Sequence, residues 1–503
     1  MMLEVSDIMH PERVKHSELS KKIMTAQEAA AFIKDGMVVG ASGFTKGGDS
    51  KVVLKALAQR ASVDPLKITL MTGASLGHGI DGRLAEAKAL SRRLPFQADP
   101  ILRNSINSGE VMFVDQHLGE TADLLANGFL PPVDIAVLEV AQVLENGHVL
   151  PTTSVGNNLA YAQHAKHIIL EVNVTIPLEI RGFHDIFYTG LSPHRSIIPV
   201  TDAGSIIGTD TMPMDPEKVI GIVFSDAKDS PAELVAPDTK TSAIAGHLMD
   251  FFNHEIKMGR MTPSLHPLQA GIGKVANAVL SGFVHGQFEN LTMYSEVLQD
   301  STFELIDSGK MTFASACSLA VSQSCYEKFF ANLEKYRGKI LLRPQNISNA
   351  AEVIRRLGLI AINTAIEFDI YGNVNSTHIA GSKMMNGIGG SGDFARNSYM
   401  SIFVTQAASK NNTISHVVPM ASHVDSNEHD VDILVTDQGL ADLRGLAPRE
   451  RAKVIIQNCC HPEFRDALNE YYQEALARGG QTPHVLSKAL SWHQKLQDTG
   501  SMK

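Results

Sequence analysis

The residues best suited to chemistry lie between 271 and 300, reading GIGKVANAVLSGFVHGQFENLTMYSEVLQD. The stretch opens on a glycine turn, Gly271-Ile272-Gly273, and its periodicity predicts a short amphipathic helix over 275–280. After a loop, the apolar run 291–294 predicts a buried strand that delivers Ser295 and Glu296. A carboxylate just past the C-terminal end of a buried strand stands where open α/β sheets carry their ligands. Glu296 is therefore the candidate nucleophile. Its flanks, Met293-Tyr294 and Val297-Leu298, would partly desolvate it, which makes a carboxylate a stronger nucleophile than it is in water. A lone glutamate is more often solvated or salt-bridged; the apolar flanks and the nearby glycine loops favour chemistry here.

The densest glycine cluster is Asn386-Gly387-Ile388-Gly389-Gly390-Ser391-Gly392-Asp393-Phe394. Such a turn exposes backbone N–H groups and lets another molecule approach closely, so it suits a phosphate or an oxyanion. A tight structural turn is the plainer explanation, but it does not need this density of glycine. Gly271-Ile272-Gly273 resembles a fragment of a dinucleotide fingerprint, yet the third glycine would fall at Ala276 and no strand is evident before it. His78, His117, His184, His378, His416 and His423 show no metal-ligand spacing, so no metal site is expected. There is no G-x-S-x-G elbow for a serine hydrolase.

Composition narrows the class. With 503 residues, two or three domains are expected, and 44% hydrophobic residues supply sizeable cores. A net charge of -10 argues against a nucleic-acid binder. The four cysteines, Cys317, Cys325, Cys459 and Cys460, fit neither a disulfide framework nor a zinc pattern, which points to reduced thiols in a cytoplasmic protein. No apolar run is long enough to span a bilayer, and residues 1–24 read as a polar arm rather than a signal peptide.

The elements that must position these residues alternate. Thr25 and Glu28 predict a capping box and a helix over 26–34. Strands are expected at 37–41, 68–71, 135–140, 168–172 and 219–224, with a helix at 50–61 and small-residue turns at the strand ends. A polar, proline-bearing linker is expected over 225–240. Beyond it, strands are expected at 339–342, 359–362, 366–370, 401–404, 417–420 and 433–436. A helix over 350–357 would be capped by Asn349 and Glu352, and 462–492 reads as mainly helical. The fold class is thus α/β, with parallel sheets covered on both faces.

Several of these motifs occur together, in this order, in one family. They are Ser42-Gly43-Phe44-Thr45, Thr72-Gly73-Ala74-Ser75, Ser154-Val155-Gly156-Asn157, Tyr294-Ser295-Glu296-Val297, the run 369–377 DIYGNVNST, the 386–394 glycine cluster and the run 439–445 GLADLRG. From about Thr25 to its end the chain resembles the class I coenzyme A transferases of the acetyl-CoA hydrolase/transferase family, and among them the succinyl-CoA:acetate CoA-transferases. The resemblance implies two tandem CoA-transferase-type α/β domains, 25–228 and 229–503, with the active site between them and the catalytic glutamate on the second. It implies a homodimer, short carboxylates and acyl-CoA thioesters as small-molecule substrates, and no prosthetic cofactor. Glu296 matches the family's nucleophile, which forms a mixed anhydride and then a glutamyl-CoA thioester. Ile272 and Gly390 match its backbone oxyanion donors, and Asn349 the residue that orients the carbonyl. The CoA contacts map to Gly271, Ile272, Gly273, Lys274, Val275, Ile366, Asn386, Gly390 and Lys410. The reaction implied is CoA transfer between a short acyl-CoA and a carboxylate, most closely succinyl-CoA with acetate. Acetyl-CoA hydrolysis and propionyl-CoA:succinate transfer are the alternatives. The chain departs from the family pattern at Asp437, where glutamate is common, near Ser230, where arginines are expected, and at Lys274, where asparagine is commoner; these positions bear on the acceptor acid.

Overall fold

The computed structural model describes residues 10–233 and 236–503, except the side chain of Lys274. The chain forms two compact units that interleave in sequence. The first comprises 1–233, 295–299 and 313–353, and the second 234–294, 300–312 and 354–503. The first unit therefore combines a long leading stretch with two later ones. Glu296 lies in one of them.

The first unit is built on seven strands: β1 (Val38–Ala41), β2 (Ile68–Met71), β3 (Leu90–Leu94), β4 (Met112–Phe113), β5 (Ile135–Val140), β6 (His167–Asn173) and β7 (Val219–Ser225). They pair in the order β4-β3-β2-β1-β5-β6-β7, all parallel. β5 reads IAVLEV and is buried throughout, as a parallel strand covered on both faces should be. The arm tightens sooner than its composition suggests. Val14 bridges to Val143, Ile23 bridges to Ile222, and Arg13 donates to the Ile176 carbonyl at 2.8 Å. Residues 1–9 of the arm lie outside the described residues.

One charge in β5 breaks the apolar run. Glu139 and its register partner Glu171 on β6 are both fully buried. Lys51 lies 2.5 Å from Glu139 and 2.9 Å from Asp229, and it is itself buried. Glu171 accepts from the backbone N–H groups of Lys51, Val52 and Val53, so it caps the helix Val53–Ala61 from the sheet. Burial raises the Glu139 carboxyl and Lys51 opposes it. Breaking such a cluster leaves uncompensated buried carboxylates. Lys51→Met is expected to lower stability by about 3–5 kcal/mol, read from the urea midpoint. A change below about 0.5 kcal/mol, the size of an ordinary surface substitution, would contradict the pairing.

The second unit carries β8 (Leu268–Ala270), β9 (Leu291–Tyr294), β10 (Ile360–Thr364), β11 (Met400–Val404), β12 (Ile433–Thr436) and β13 (Gly439–Asp442). Within it the order is β9-β8-β10-β11-β12-β13; only β12–β13 is antiparallel. The order reverses between β8 and β10, which opens a crevice at their C-terminal ends. One expectation is corrected here. β8 does precede Gly271-Ile272-Gly273. It is hard to read because Gln269 interrupts it, and Gln269 is buried by exchanging two 3.2 Å amide hydrogen bonds with Asn363 on β10. The mainly helical end consists of two helices, Pro462–Arg478 and Ser491–Thr499, with Gly479 at φ 77° ending the first. The expected linker leads into the helix Thr239–Lys257, which opens on an Asp238–Thr241 capping box and buries Ile244, Leu248 and Phe252. Within that linker, Leu234 and Val235 lie outside the described residues.

Candidate active site

In the first unit, Glu296 sits in the two-residue gap between β9 and the short strand Val297–Leu298. That strand pairs in parallel with Ser318–Leu319, while Ser295 donates to the Ser315 carbonyl at 2.8 Å. The Cys317 N–H donates to the Glu296 carbonyl at 3.0 Å. The backbone on both sides of Glu296 is therefore fixed. Its side chain is 8% exposed, beside a buried apolar cluster of Phe44, Ala74, Leu118, Val297, Cys317 and Ala320. The Asn349 amide donates to Glu296 Oε1 at 2.7 Å, and Ser348 Oγ donates to Asn349 Oδ1 at 3.0 Å. Asn349 follows the short helix Gln345–Ser348 and turns its side chain to the carboxylate. The helix beyond it runs Ala351–Leu357. Burial and the nearby Glu296 charge push the Cys317 thiol up, so this cysteine is held as a neutral neighbour of the carboxylate.

One other residue of the first unit, Gln345, was not picked out from the sequence. Gln345 is fully buried, and neither atom of its side-chain amide has a partner among the described residues. Its Oε1 lies 3.4 Å from where a Cβ on Gly73 would sit, so it points towards the turn after β2. Only its burial reveals it, because a glutamine one turn before an asparagine carries no motif. Ser230, near which arginines were expected, accepts from the His78 N–H at 2.7 Å.

In the second unit, β8 leads directly into Gly271, whose N–H donates to the Ile362 carbonyl of β10 at 2.8 Å. Gly273 has φ 128° and ψ 171°, a backbone region open essentially to glycine alone. The helix Lys274–Phe283 starts there, with Val275 in its first turn. Ile272 is exposed at 42%. The side chain of Lys274 lies outside the described residues. Past the other edge of the crevice, β10 runs through Ala365 to Ile366.

Ile366 and Lys410 line one cleft of about 620 Å³, together with Lys383 and His416. Lys410, Asn411 and Asn412 hold φ between 47° and 59°, a sharp turn that projects from the hairpin of Ala408–Ser409 and Ile414–Ser415. Lys383 gives the cleft a second cation and was not foreseen. Burial depresses His416, whose ring is hydrogen-bonded to Ser409 Oγ at 2.9 Å. Asn386 donates to the carbonyls of Ser376 and Gly387. The glycine cluster then turns at Gly389, φ 63°, and Gly390 caps the short helix Ser391–Asn397. Asp437 accepts from the Ala407 N–H at 2.6 Å.

The acetyl-CoA hydrolase/transferase N-terminal domain matches residues 9–224, and the C-terminal domain of the same name matches residues 326–472. The succinyl-CoA:acetate CoA-transferase of Clostridium kluyveri is 46% identical over 98% of this chain and 92% of its own length. The chain belongs to the acetyl-CoA hydrolase/transferase family. The acetyl-CoA hydrolase of Schizosaccharomyces pombe is 43% identical over 98% of both chains. The propanoyl-CoA:succinate CoA transferase of Escherichia coli is 42% identical over 95% of this chain and 98% of its own. Among solved structures, RipA from Yersinia pestis shares the fold at a TM-score of 0.72 and 21% identity, over 93% of this chain and all of that one. It is an α/β fold of two parallel-sheet domains. No helix among the described residues is long and apolar enough to cross a membrane.

The two central glycines of the cluster differ in kind. Gly389 needs glycine for its left-handed backbone, whereas Gly390, at φ -87°, has a conformation any residue adopts. Gly389→Ala is expected to cost about 1–2 kcal/mol of stability in a thermal or urea melt, from left-handed strain alone. Equal stability of Gly389→Ala and wild type would contradict the strain.

Proposed function

We propose that this protein is a CoA-transferase that moves CoA between a short-chain acyl-CoA and a carboxylate, with succinyl-CoA and acetate as the leading pair. The observation that carries the reading is the buried Glu296 carboxylate held at 2.7 Å by Asn349. The 46% identity to the Clostridium kluyveri succinyl-CoA:acetate CoA-transferase supports the substrate pair.

In the proposed cycle, a Glu296 oxygen attacks the acyl-CoA carbonyl. The C–S bond breaks, giving an acyl-glutamyl anhydride and CoA thiolate. The thiolate attacks the glutamyl carbonyl, releases the first acid as its carboxylate and leaves a glutamyl-CoA thioester. An incoming carboxylate attacks that thioester, and the same steps run in reverse to give the new acyl-CoA and free Glu296. No proton transfer to the nucleophile is needed, because a carboxylate attacks as an anion and leaves as one. Asn349 restricts the carboxylate to one rotamer, which supplies orientation before attack. Each addition places charge on a carbonyl oxygen, and we assign its stabilisation to the N–H groups of Ile272 and Gly390. Losing one such donor costs about 3 kcal/mol of barrier.

We assign CoA recognition to the Gly271-Ile272-Gly273-Lys274-Val275 turn, Ile366, Asn386, Gly390 and Lys410. Lys410 supplies a cation for a CoA phosphate. Asp437 and Ser230 stand where the family varies, so they bear on the acceptor acid. A cytoplasmic homodimer acting in acetate handling and a variant tricarboxylic acid cycle completes the proposal.

Hydrolysis is the second reading, favoured by the 43% identity to the Schizosaccharomyces pombe acetyl-CoA hydrolase. In it, water replaces the incoming carboxylate. Incubation with acetyl-CoA, with and without succinate, separates the two. Transfer predicts succinyl-CoA only when succinate is present and little free CoA. Steady release of free CoA regardless of succinate would overturn transfer in favour of hydrolysis. In the same assay, Glu296→Ala is expected to lose at least about 10³-fold of the exchange rate. An alanine variant that keeps most of the rate would remove Glu296 from the mechanism.

A further inference from the structure

The last dozen residues lie beyond the stretch matched by the family's C-terminal domain, which ends at 472. They are nonetheless part of the cleft that holds Ile366 and Lys410. Leu496, Gln497, Gly500 and Met502 line it. This wall is tied to every other element of the cleft. His493, on the helix Ser491–Thr499, is 4% exposed, and its Nε2 lies 2.8 Å from Glu367 Oε2. Glu367 directly follows Ile366, and its other oxygen accepts from Asn375 Nδ2 at 3.0 Å and from Ser422 Oγ at 2.8 Å. Gln497 donates to the Ala380 carbonyl at 2.5 Å, at the tip of the hairpin that bears Lys383. Gly500, at φ 78°, ends the helix, and the Met502 N–H then donates to the Thr413 carbonyl at 2.8 Å, three residues after Lys410.

We propose that residues 491–502 are a built-in wall of the CoA cleft, and that His493 is its positioning residue, acting through Glu367. The inference rests on the assignment of CoA to this cleft. The His493–Glu367 contact is the deepest of the three ties, and it alone reaches the strand next to Ile366. The other two fix the hairpins that carry the cleft's two lysines, Lys383 and Lys410. Replacing the imidazole with an apolar group removes the donor and leaves the buried Glu367 oxygen unpaired. The wall then loses its fixed position, while Glu296 and Asn349, in the first unit, are untouched. Binding of CoA should suffer, and the chemical step should not.

Calorimetric titration of free CoA into the full-length protein, alongside steady-state kinetics, tests this. His493→Leu is expected to weaken CoA binding and raise the KM for acyl-CoA about tenfold, with kcat and the KM for the carboxylate within about twofold of wild type. His493→Gln keeps an N–H donor for Glu367 and is expected to restore both values to within about threefold. A merely structural role would lower kcat and folded fraction together and would not be rescued in this split. If His493→Leu does not fold, Gln497→Ala, which cuts the tie to the Lys383 hairpin, is expected to weaken CoA binding about threefold. Wild-type binding with unchanged affinity in folded His493→Leu, or in Gln497→Ala where that variant is used, would overturn the inference alone. A wild-type protein that binds no CoA would overturn the CoA assignment, and the wall's role with it.

Discussion

The first unit depends on one nearly buried carboxylate, Glu296, whose direction is fixed by a neighbouring amide. Glu296 is nearly enclosed beside apolar side chains, and its partner at Oε1 is the neutral amide of Asn349. An amide fixes direction without lending a charge, so in the proposed cycle it orients the carboxylate for attack. An arginine in the same place would hold it more strongly and make it a poorer nucleophile. The raised Cys317 thiol follows from the same site, because a neutral thiol is what a buried sulfur beside a carboxylate must be. The contrast with Glu139 and Glu171 is instructive. Those carboxylates, fully buried, are matched by Lys51 or by helix N–H groups and serve the sheet.

In the proposed function the second unit faces a different problem, how to let a long ligand reach backbone. Its strand order reverses between β8 and β10, and the glycine turn and Ile366 lie just past the two strand ends. Gly273 and Gly389 are required by their dihedrals, whereas Gly390 is not. Glycine at 390 is then best explained by what must pass close to it. The cleft with Lys410 and Lys383 supplies positive charge to a protein whose net charge is -10. Local potential and overall charge are separate quantities, and an anionic ligand responds to the first at short range.

Much of this could be read from the sequence. The strands of 68–71, 135–140, 291–294 and 433–436 fall where the apolar runs place them, because strands covered on both faces are nearly uninterrupted. Glu296 was legible for the same reason: it is the first charge past such a strand. What escaped were features set by distant partners. β8 was hidden by Gln269, whose burial makes sense only with Asn363 opposite. Asn349 was read both as a helix cap and as an orienting residue, and its contact with Glu296 shows only in the fold. The helix Thr239–Lys257 lay behind a polar, proline-bearing run that suggested a linker. Gln345, Lys383 and His493 have no local signature at all; tertiary contacts alone give them their places.

The central claim is that Glu296 becomes covalently attached to CoA. The most direct test is to mix the protein with acyl-CoA without an acceptor acid, reduce with borohydride, digest, and map the product by mass spectrometry. The account predicts that one glutamate, Glu296, is recovered as its alcohol, because a glutamyl thioester is reduced where a free carboxylate is not. Reduction at another residue, or none under conditions of active exchange, would contradict it.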